Sequence, residues 1–515
     1  MNVEFPERFN MGDYFLYHNV EEGRENKVCL YFEDRKFTYG DGVRMSNRAG
    51  NALRELGVKI EERVLIVLPD CPEFAWVWFG AARVGGIISM VNPLLPAADY
   101  EYYLEYTRAP VAVIHESLLE QFAQAARGAK YLRKVLVVGE ERGTFESFAE
   151  VTNAMPDECP RADTHRDDIA IWLFTSGSTG QPKAAVHLGH DLPYNAECYA
   201  KRVLGVSEND LTVAVPKLFF GYATGTNLLF PFSVGGATAL FSERSTPEKI
   251  YEMIARHRPT ILTSVPTMIN AMLNLEGAAR NDLSSLRCCL SAGEALPVEL
   301  YERWVKTFGV EILDGIGSAE MFHIYVTNRA GDVKPGSLGR VVEGYETRVV
   351  DAGGRELPAG EMGTLKVRGD SAALCYWQAH EKSKQTFAGD WCTTGDQFHI
   401  DADGYHWYHG RTDDMLKVSG IYVAPVEIEH CLMQHESVVE CAVVGFDAGE
   451  GLIKPKAFVV LREGFDGNEE LADALKEFVK SRLAVYKYPR RVEFVRSLPK
   501  NDRGKIDRKQ LKGRG

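Results

Sequence analysis

Short apolar runs alternate with helix-length amphipathic stretches through most of this 515-residue chain. Val64-Leu65-Ile66-Val67-Leu68, Val135-Leu136-Val137-Val138 and Leu211-Thr212-Val213-Ala214-Val215 read as interior strands. Residues 251–256 and 298–307 read as helices lying between strands. The most apolar stretch, residues 74–91, is interrupted by Arg83 and diluted by three glycines. It predicts a buried helix running into a strand, not a membrane span. The alternation argues for an α/β protein with layered, largely parallel sheets. There is no internal repeat and no low-complexity segment.

The pattern changes near Asp413. Before it, Asp401-Ala402-Asp403-Gly404-Tyr405-His406 predicts a tight turn between two short strands. After it, a helix at 426–435, strands at 438–446 and 456–461 and a second helix at 471–482 make a compact α+β unit of about one hundred residues. The chain exceeds the size at which one core keeps growing. The expected organisation is a large N-terminal domain, 1–412, of mostly parallel sheets with helices, and a small α+β C-terminal domain, 413–515.

Composition adds little to that picture. A hydrophobic share of 45% and a charged share of 25% are ordinary for a globular protein. Ten scattered cysteines, with Cys288 and Cys289 the one adjacent pair and no Cys-x-x-Cys, suggest reduced thiols in a cytoplasmic protein rather than a disulfide or zinc framework. The first residues, Met-Asn-Val-Glu-Phe-Pro-Glu-Arg, lack the apolar core of a signal peptide. The net charge of −13 is uneven: residues 481–515 hold 12 Lys/Arg and 3 Asp/Glu, a local +9, leaving −22 on the rest. Such a tail could bind nucleic acid. It has few aromatic residues for base stacking and no nucleic-acid motif around it, so no nucleic-acid partner is expected.

Residues 175–183, Thr-Ser-Gly-Ser-Thr-Gly-Gln-Pro-Lys, carry the most specific chemistry. Four hydroxyl residues and two glycines fill six consecutive positions directly after the apolar run Ile169-Ala170-Ile171-Trp172-Leu173-Phe174. Gly177 lets backbone N–H groups approach polyphosphate oxygens, Thr175, Ser176, Ser178 and Thr179 add donors, and Lys183 adds a positive charge. The spacing is not that of Gly-x-x-x-x-Gly-Lys-[Ser/Thr].

This loop resembles the phosphate loop of the adenylate-forming enzymes: acyl-CoA synthetases, luciferases and peptide-synthetase adenylation domains. Three further motifs follow in the family's order. Asp314-Gly315-Ile316-Gly317-Ser318-Ala319-Glu320 stands where the family has its second nucleotide motif, usually Gly-x-Thr-Glu. A carboxylate beside ATP is tolerated when it binds Mg²⁺, which assigns Glu320 to the metal. Ala319 replaces the family threonine that contacts the α-phosphate. Thr393-Thr394-Gly395-Asp396 and, fifteen residues on, Gly410-Arg411-Thr412-Asp413 come next. The resemblance implies that Asp396 and Arg411 hold the ribose and that Asp413 is a hinge. It also implies a mobile C-terminal domain, with Ser419 and Gly420 in the segment brought to the active site for thioester formation. In Leu498-Pro499-Lys500-Asn501-Asp502-Arg503-Gly504-Lys505 the final lysine matches the one that bridges the carboxylate and the α-phosphate during adenylation; Lys500 and Arg503 are expected to be solvated. The basic tail then reads as a positive face for ATP or the phosphates of coenzyme A.

The segment Lys217-Leu218-Phe219-Phe220-Gly221-Tyr222-Ala223-Thr224-Gly225 resembles the acid-binding segment of benzoate-CoA ligases, which typically has alanine in place of Gly221. Aromatic rings offer flat walls to a flat acid. Met321-Phe322-His323-Ile324 resembles the opposite wall, and Lys417 is the lysine such ligases direct toward the carboxylate. No acidic residue occurs between Leu211 and Val234 to pair an α-ammonium, so an α-amino acid is not expected. Gly221 should leave room for a substituted ring, so benzoate, 2-aminobenzoate (anthranilate) or a hydroxybenzoate are the expected acids, and His323 could bond a ring substituent. The resemblance implies an acid–thiol ligase using ATP, Mg²⁺ and coenzyme A through an acyl-adenylate, with a homodimer as a common arrangement. A stand-alone enzyme loading a carrier protein, or a non-catalytic acid-binding relative, would share these motifs.

Overall fold

The computed structural model describes residues 3–176, 181–418, 421–448, 453–500 and 506–513. Gly177, Ser178, Thr179, Ser419, Gly420 and Lys505 lie outside the described residues. Among the described residues the N-terminal part holds a nine-stranded, an eight-stranded and a five-stranded sheet. The first two are mostly parallel and the third is antiparallel.

The parallel strands are those whose sequence is apolar on both faces. Arg63–Val67 lies between Ile87–Met90 and Val111–His115, and Val64 to Val67 are wholly buried. Leu211–Ala214 and Lys134–Val138 occupy equivalent interior places. The apolar stretch 74–91 resolves into the helix Pro72–Arg83, buried nearly all round, and the strand Ile87–Met90. No described helix is long and apolar enough to cross a membrane. The helix Pro72–Arg83 packs against Tyr39–Glu55, where a Cβ on Gly80 would sit 2.7 Å from the Gly50 nitrogen. Glycine there sets the close approach of the two helices.

Helix starts carry local signals. Thr38 and Asp41 form a reciprocal capping box at Tyr39–Glu55. Pro247–His257 starts earlier than periodicity predicts, because Thr246 caps it and Pro247 takes the first position. Val298–Phe308 falls as expected.

Of the antiparallel sheet, the sequence predicts the Asp401 turn and the two strands it joins, and not the rest. It pairs Glu346–Val350, Gly363–Arg368, Trp391–Ile400 and His406–Arg411, and the Asp401 turn joins the last two, its Oδ1 accepting from the Asp403 and Tyr405 N–H groups. Beyond a short turn, Thr412–Asp414, comes a small unit. It has strands Val438–Asp447, Ile453–Leu461 and Arg491–Phe494 and helices Pro425–Met433 and Glu469–Lys480. Ile428, Leu432, Val443, Val459 and Leu475 form a core of its own. The half-buried Arg508 guanidinium forks onto both oxygens of Glu429, tying the final described helix Arg508–Lys512 to that core. All ten cysteines are free.

Candidate active site

The strand Ile169–Ser176 enters the phosphate loop and Pro182–Leu188 leaves it, with Thr175 opposite Lys183 and Ser176 opposite Pro182. The loop's base is therefore a β-ladder, which fixes where its ends emerge. Tyr102, on the helix Ala97–Thr107, donates to the Pro182 carbonyl at 2.6 Å and holds that base from the side.

Around the loop the charged residues predicted from sequence converge. The Lys183 ammonium lies 4.5 Å from the centre of the Tyr376 ring, and the Tyr376 hydroxyl donates to Glu320 Oε1 at 2.6 Å. Burial lowers the Lys183 pKa, the Lys382 charge lowers it further, and Glu320 opposes both. Asp396 and Arg411 face each other across the antiparallel strands, with Arg411 Nη1 donating to Asp396 Oδ1 at 3.1 Å. Burial raises the Asp396 pKa, and Arg411 beside it pulls the other way. Glu320 also acts on Asp396 and Arg411, so these groups share one electrostatic neighbourhood. Tyr376 was not singled out in the sequence. Its signal is the aromatic pair Tyr376-Trp377 ahead of Thr393-Thr394-Gly395-Asp396, a weak one without the fold.

Asp314, Gly315 and Ser318 lie on or beside the strand Ile312–Gly317. Asp314 is buried, and burial pushes its carboxyl up to about 8 while Ser291, the Gly315 N–H and the Leu296 N–H pull it down. Its backbone pairs with Ser291 of the strand Cys288–Ala292, a segment not singled out from sequence.

The predicted acid-binding residues come from two segments that meet at Tyr222 and His323, whose ring centroids are 5.3 Å apart. The Phe219 and Phe220 rings are half-buried with centroids 4.2 Å apart, tilted by 50°. Gly221 opens the helix Gly221–Thr224, and a Cβ there would lie 3.3 Å from Leu173 Cδ1 and 3.4 Å from the Phe322 carbonyl. Facing it, His323 is buried among Tyr199, Tyr222 and Phe230, and Nε2 lies 3.0 Å from the Tyr222 carbonyl. Burial lowers the His323 pKa to about 3, so the ring is neutral. With Nε2–H donating to a carbonyl, Nδ1 is an acceptor, and it is buried with no partner among the described residues. Ile324 starts the strand Ile324–Thr327, its carbonyl held by Asn195.

Two lysines need distinguishing. Lys217 turns away from the rings: its ammonium donates to the Phe241 carbonyl at 2.9 Å. Lys417 lies in the strand Leu416–Val418 opposite Tyr422. Asp70, missed in the sequence, fixes the start of the acid-binding segment by accepting from the Leu218 N–H at 2.8 Å. Asp413 is exposed in the turn Thr412–Asp414. Lys500 is exposed, as expected; it pairs with Ile506 in an isolated antiparallel bridge, and its ammonium meets Glu440 at 3.3 Å.

The AMP-binding enzyme family profile matches residues 16–377, and that of the AMP-binding enzyme C-terminal domain matches 427–505. A benzoate–CoA ligase of Thauera aromatica is 43% identical over 513 residues, spanning 99% of this chain and 97% of the relative. A crystal structure of the anthranilate CoA ligase AuaEII in complex with anthranoyl-AMP superposes with a TM-score of 0.95 at 41% identity, covering 99% of this chain and 98% of that one. A benzoate CoA ligase from Burkholderia xenovorans gives a TM-score of 0.92 at 42% identity, covering 98% and 100%.

Proposed function

The chain belongs to the AMP-binding enzyme family, and on that premise we propose that it is an ATP-dependent aryl-CoA ligase. It joins a benzoate-type acid to coenzyme A through an aroyl-adenylate and releases AMP and pyrophosphate. One observation carries the choice of acid: an apolar wall, Phe219 to Tyr222, without any acidic residue, set against the neutral His323 beside Glu320. Benzoate fits that wall. The buried lone pair on His323 Nδ1 favours a ring bearing an amino or hydroxyl donor, so anthranilate or a hydroxybenzoate belongs to the same range.

The acid carboxylate must attack the α-phosphorus of ATP, anion upon anion, so positioning and charge neutralisation carry the catalysis. Lys183 and the loop 175–179 bind phosphate oxygens, and Asp396 with Arg411 holds the ribose. Lys417 and Lys505 act on the carboxylate, with Lys505 bridging it to the α-phosphate. Glu320 suits Mg²⁺: its carboxylate, one oxygen of which Tyr376 engages, is a hard oxygen donor of the kind that meets a cation carried mostly by phosphates and water. When bound, Mg²⁺ would neutralise phosphate charge. The domain boundary lies at Asp413, about which residues 413–515 rotate to withdraw Lys505 and bring Ser419 and Gly420 to the thiol. Free thiols throughout support a cytoplasmic location.

A panel of aryl and short aliphatic acids, scored by AMP release with coenzyme A present, tests this reading. Turnover of benzoate, anthranilate or a hydroxybenzoate above the aliphatic acids is expected. Preference for aliphatic acids, or no AMP release with any aryl acid, would remove it.

A further inference from the structure

His187, fully buried near the end of the strand Pro182–Leu188, lies between two acceptors. Its Nε2 is 2.7 Å from the Ala319 carbonyl oxygen and its Nδ1 is 2.8 Å from Asp191 Oδ2. A carbonyl carries no hydrogen, so Nε2 carries one and donates it; the second contact holds a proton between Nδ1 and the carboxylate. Asp191 is buried too. The same oxygen accepts from the Leu188 N–H at 3.1 Å, and its other oxygen is 3.3 Å from His190 Nε2. His190 in turn meets the Arg166 carbonyl at 3.0 Å and the Asp167 carboxylate at 3.3 Å. The His187 ring is therefore braced from behind.

The peptide it grips opens an unusual turn. After Ala319–Met321, Phe322 adopts φ 65° and ψ −55°, and the His323 N–H bonds back to the Met321 carbonyl at 2.8 Å. This γ-type turn is strained for a residue with a side chain, and such strain persists only where the surroundings over-determine it. Ser371 Oγ donates to the Met321 carbonyl at 2.9 Å and the Ala373 N–H to the Glu320 carbonyl at 2.8 Å. From the strand that leaves the phosphate loop, His187 adds a hold on the backbone at Ala319, while Tyr376 holds the Glu320 side chain. Ala319 has no hydroxyl with which to anchor the turn itself.

We propose that His187, braced by Asp191, is a positioning residue for the adenylation half-reaction: by fixing the Ala319 carbonyl it holds the Glu320 carboxylate where a nucleotide-bound cation meets it. This rests on the ligase reading above. The imidazole thus ties the strand that leaves the phosphate loop to the backbone next to Glu320.

The test uses His187→Leu, which cannot donate, His187→Gln, whose amide can, and Asp191→Asn, in the full-length chain. Affinity for a non-hydrolysable ATP analogue is measured with and without Mg²⁺, so one readout needs no acid and stands even if no aryl acid is turned over. Pyrophosphate exchange and thioester formation from supplied benzoyl-adenylate are measured separately. The leucine variant should lose the Mg²⁺-dependent gain in affinity and about 100-fold in pyrophosphate exchange, with thioester formation within about threefold of wild type. Glutamine should recover about tenfold of the loss, and Asp191→Asn should fall between. If the leucine variant fails to fold, Asp191→Asn, which keeps the ring and the volume, decides by the same criteria. Wild-type Mg²⁺ dependence in these variants, an equal fall of both half-reactions, or glutamine no better than leucine would overturn the proposal. Absence of wild-type turnover with any aryl acid would instead defeat the ligase reading.

Discussion

The Tyr376 hydroxyl donates to Glu320 Oε1 at 2.6 Å while the face of the same ring lies 4.5 Å from the Lys183 ammonium. One side chain thus sets both the carboxylate proposed for the metal and the cation at the end of the phosphate loop. Tyr376→Phe keeps the ring under Lys183 and removes the donation to Glu320. A hydrogen bond to a charged group contributes about 1.5–3 kcal/mol, so pyrophosphate exchange should fall about tenfold or more, and the Mg²⁺ concentration for half-maximal rate should rise. A fall in rate with unchanged Mg²⁺ dependence would detach Tyr376 from Glu320 in the mechanism.

Lys505→Ala should abolish pyrophosphate exchange and largely spare thioester formation from a supplied aroyl-adenylate, because in the proposed mechanism the bridging cation serves only the first half-reaction. The bridge between Lys500 and Ile506 draws together the two ends of the segment carrying Lys505, and neither end is altered by the substitution. Comparable losses in both half-reactions would argue against alternation of the small domain between two tasks.

Gly221→Ala places a methyl 3.3 Å from Leu173 Cδ1 and 3.4 Å from the Phe322 carbonyl, closer than most such contacts, so the neighbours must give by a few tenths of an ångström. The acid with the larger ring should suffer most. kcat/KM for anthranilate should drop about tenfold more than for benzoate, within the roughly 1–3 kcal/mol that a methylene-sized change discriminates. Equal losses for the two acids would mean that Gly221 does not set ring size.

His323 is neutral in the folded protein down to a pKa of about 3, against 6.5 for an unperturbed imidazole. A depressed histidine contributes stability above its unfolded pKa and loses it as pH falls toward the folded one. Between pH 7 and pH 5 the wild type should therefore lose about 2 kcal/mol more unfolding free energy than His323→Gln. Urea unfolding at the two pH values measures this; a difference that does not change with pH would show that the imidazole is not held neutral.

What could be read from the sequence was what is encoded locally. The buried strands at 64–68, 135–138 and 211–215 announce themselves by apolar runs, and the phosphate loop by composition alone. The helix at 251–256 was visible only in its middle because its first turn is specified by Thr246 and Pro247, capping signals rather than periodicity. Contacts that depend on tertiary geometry were silent. Tyr376 and Glu320 are 56 residues apart, and His187 and Ala319 are 132 apart. Those separations reflect the length of intervening chain, not the chemistry at either end. Of the antiparallel sheet around Asp396 and Arg411 only the Asp401 turn and its two flanking strands could be read, since half-buried strands mix polar and apolar positions.

The constrained backbone at Phe322 joins two proposed duties within four neighbouring residues: Glu320 for the nucleotide's cation and His323 for the aromatic acid. A lineage adapting to a new acid by changing residue 322 or 323 would disturb the catalytic carboxylate at the same time. Divergence in acid preference should therefore accumulate on the opposite wall at Phe219 and Phe220, whose rings pack against each other, and less at Gly221, where a methyl would press on the Phe322 carbonyl.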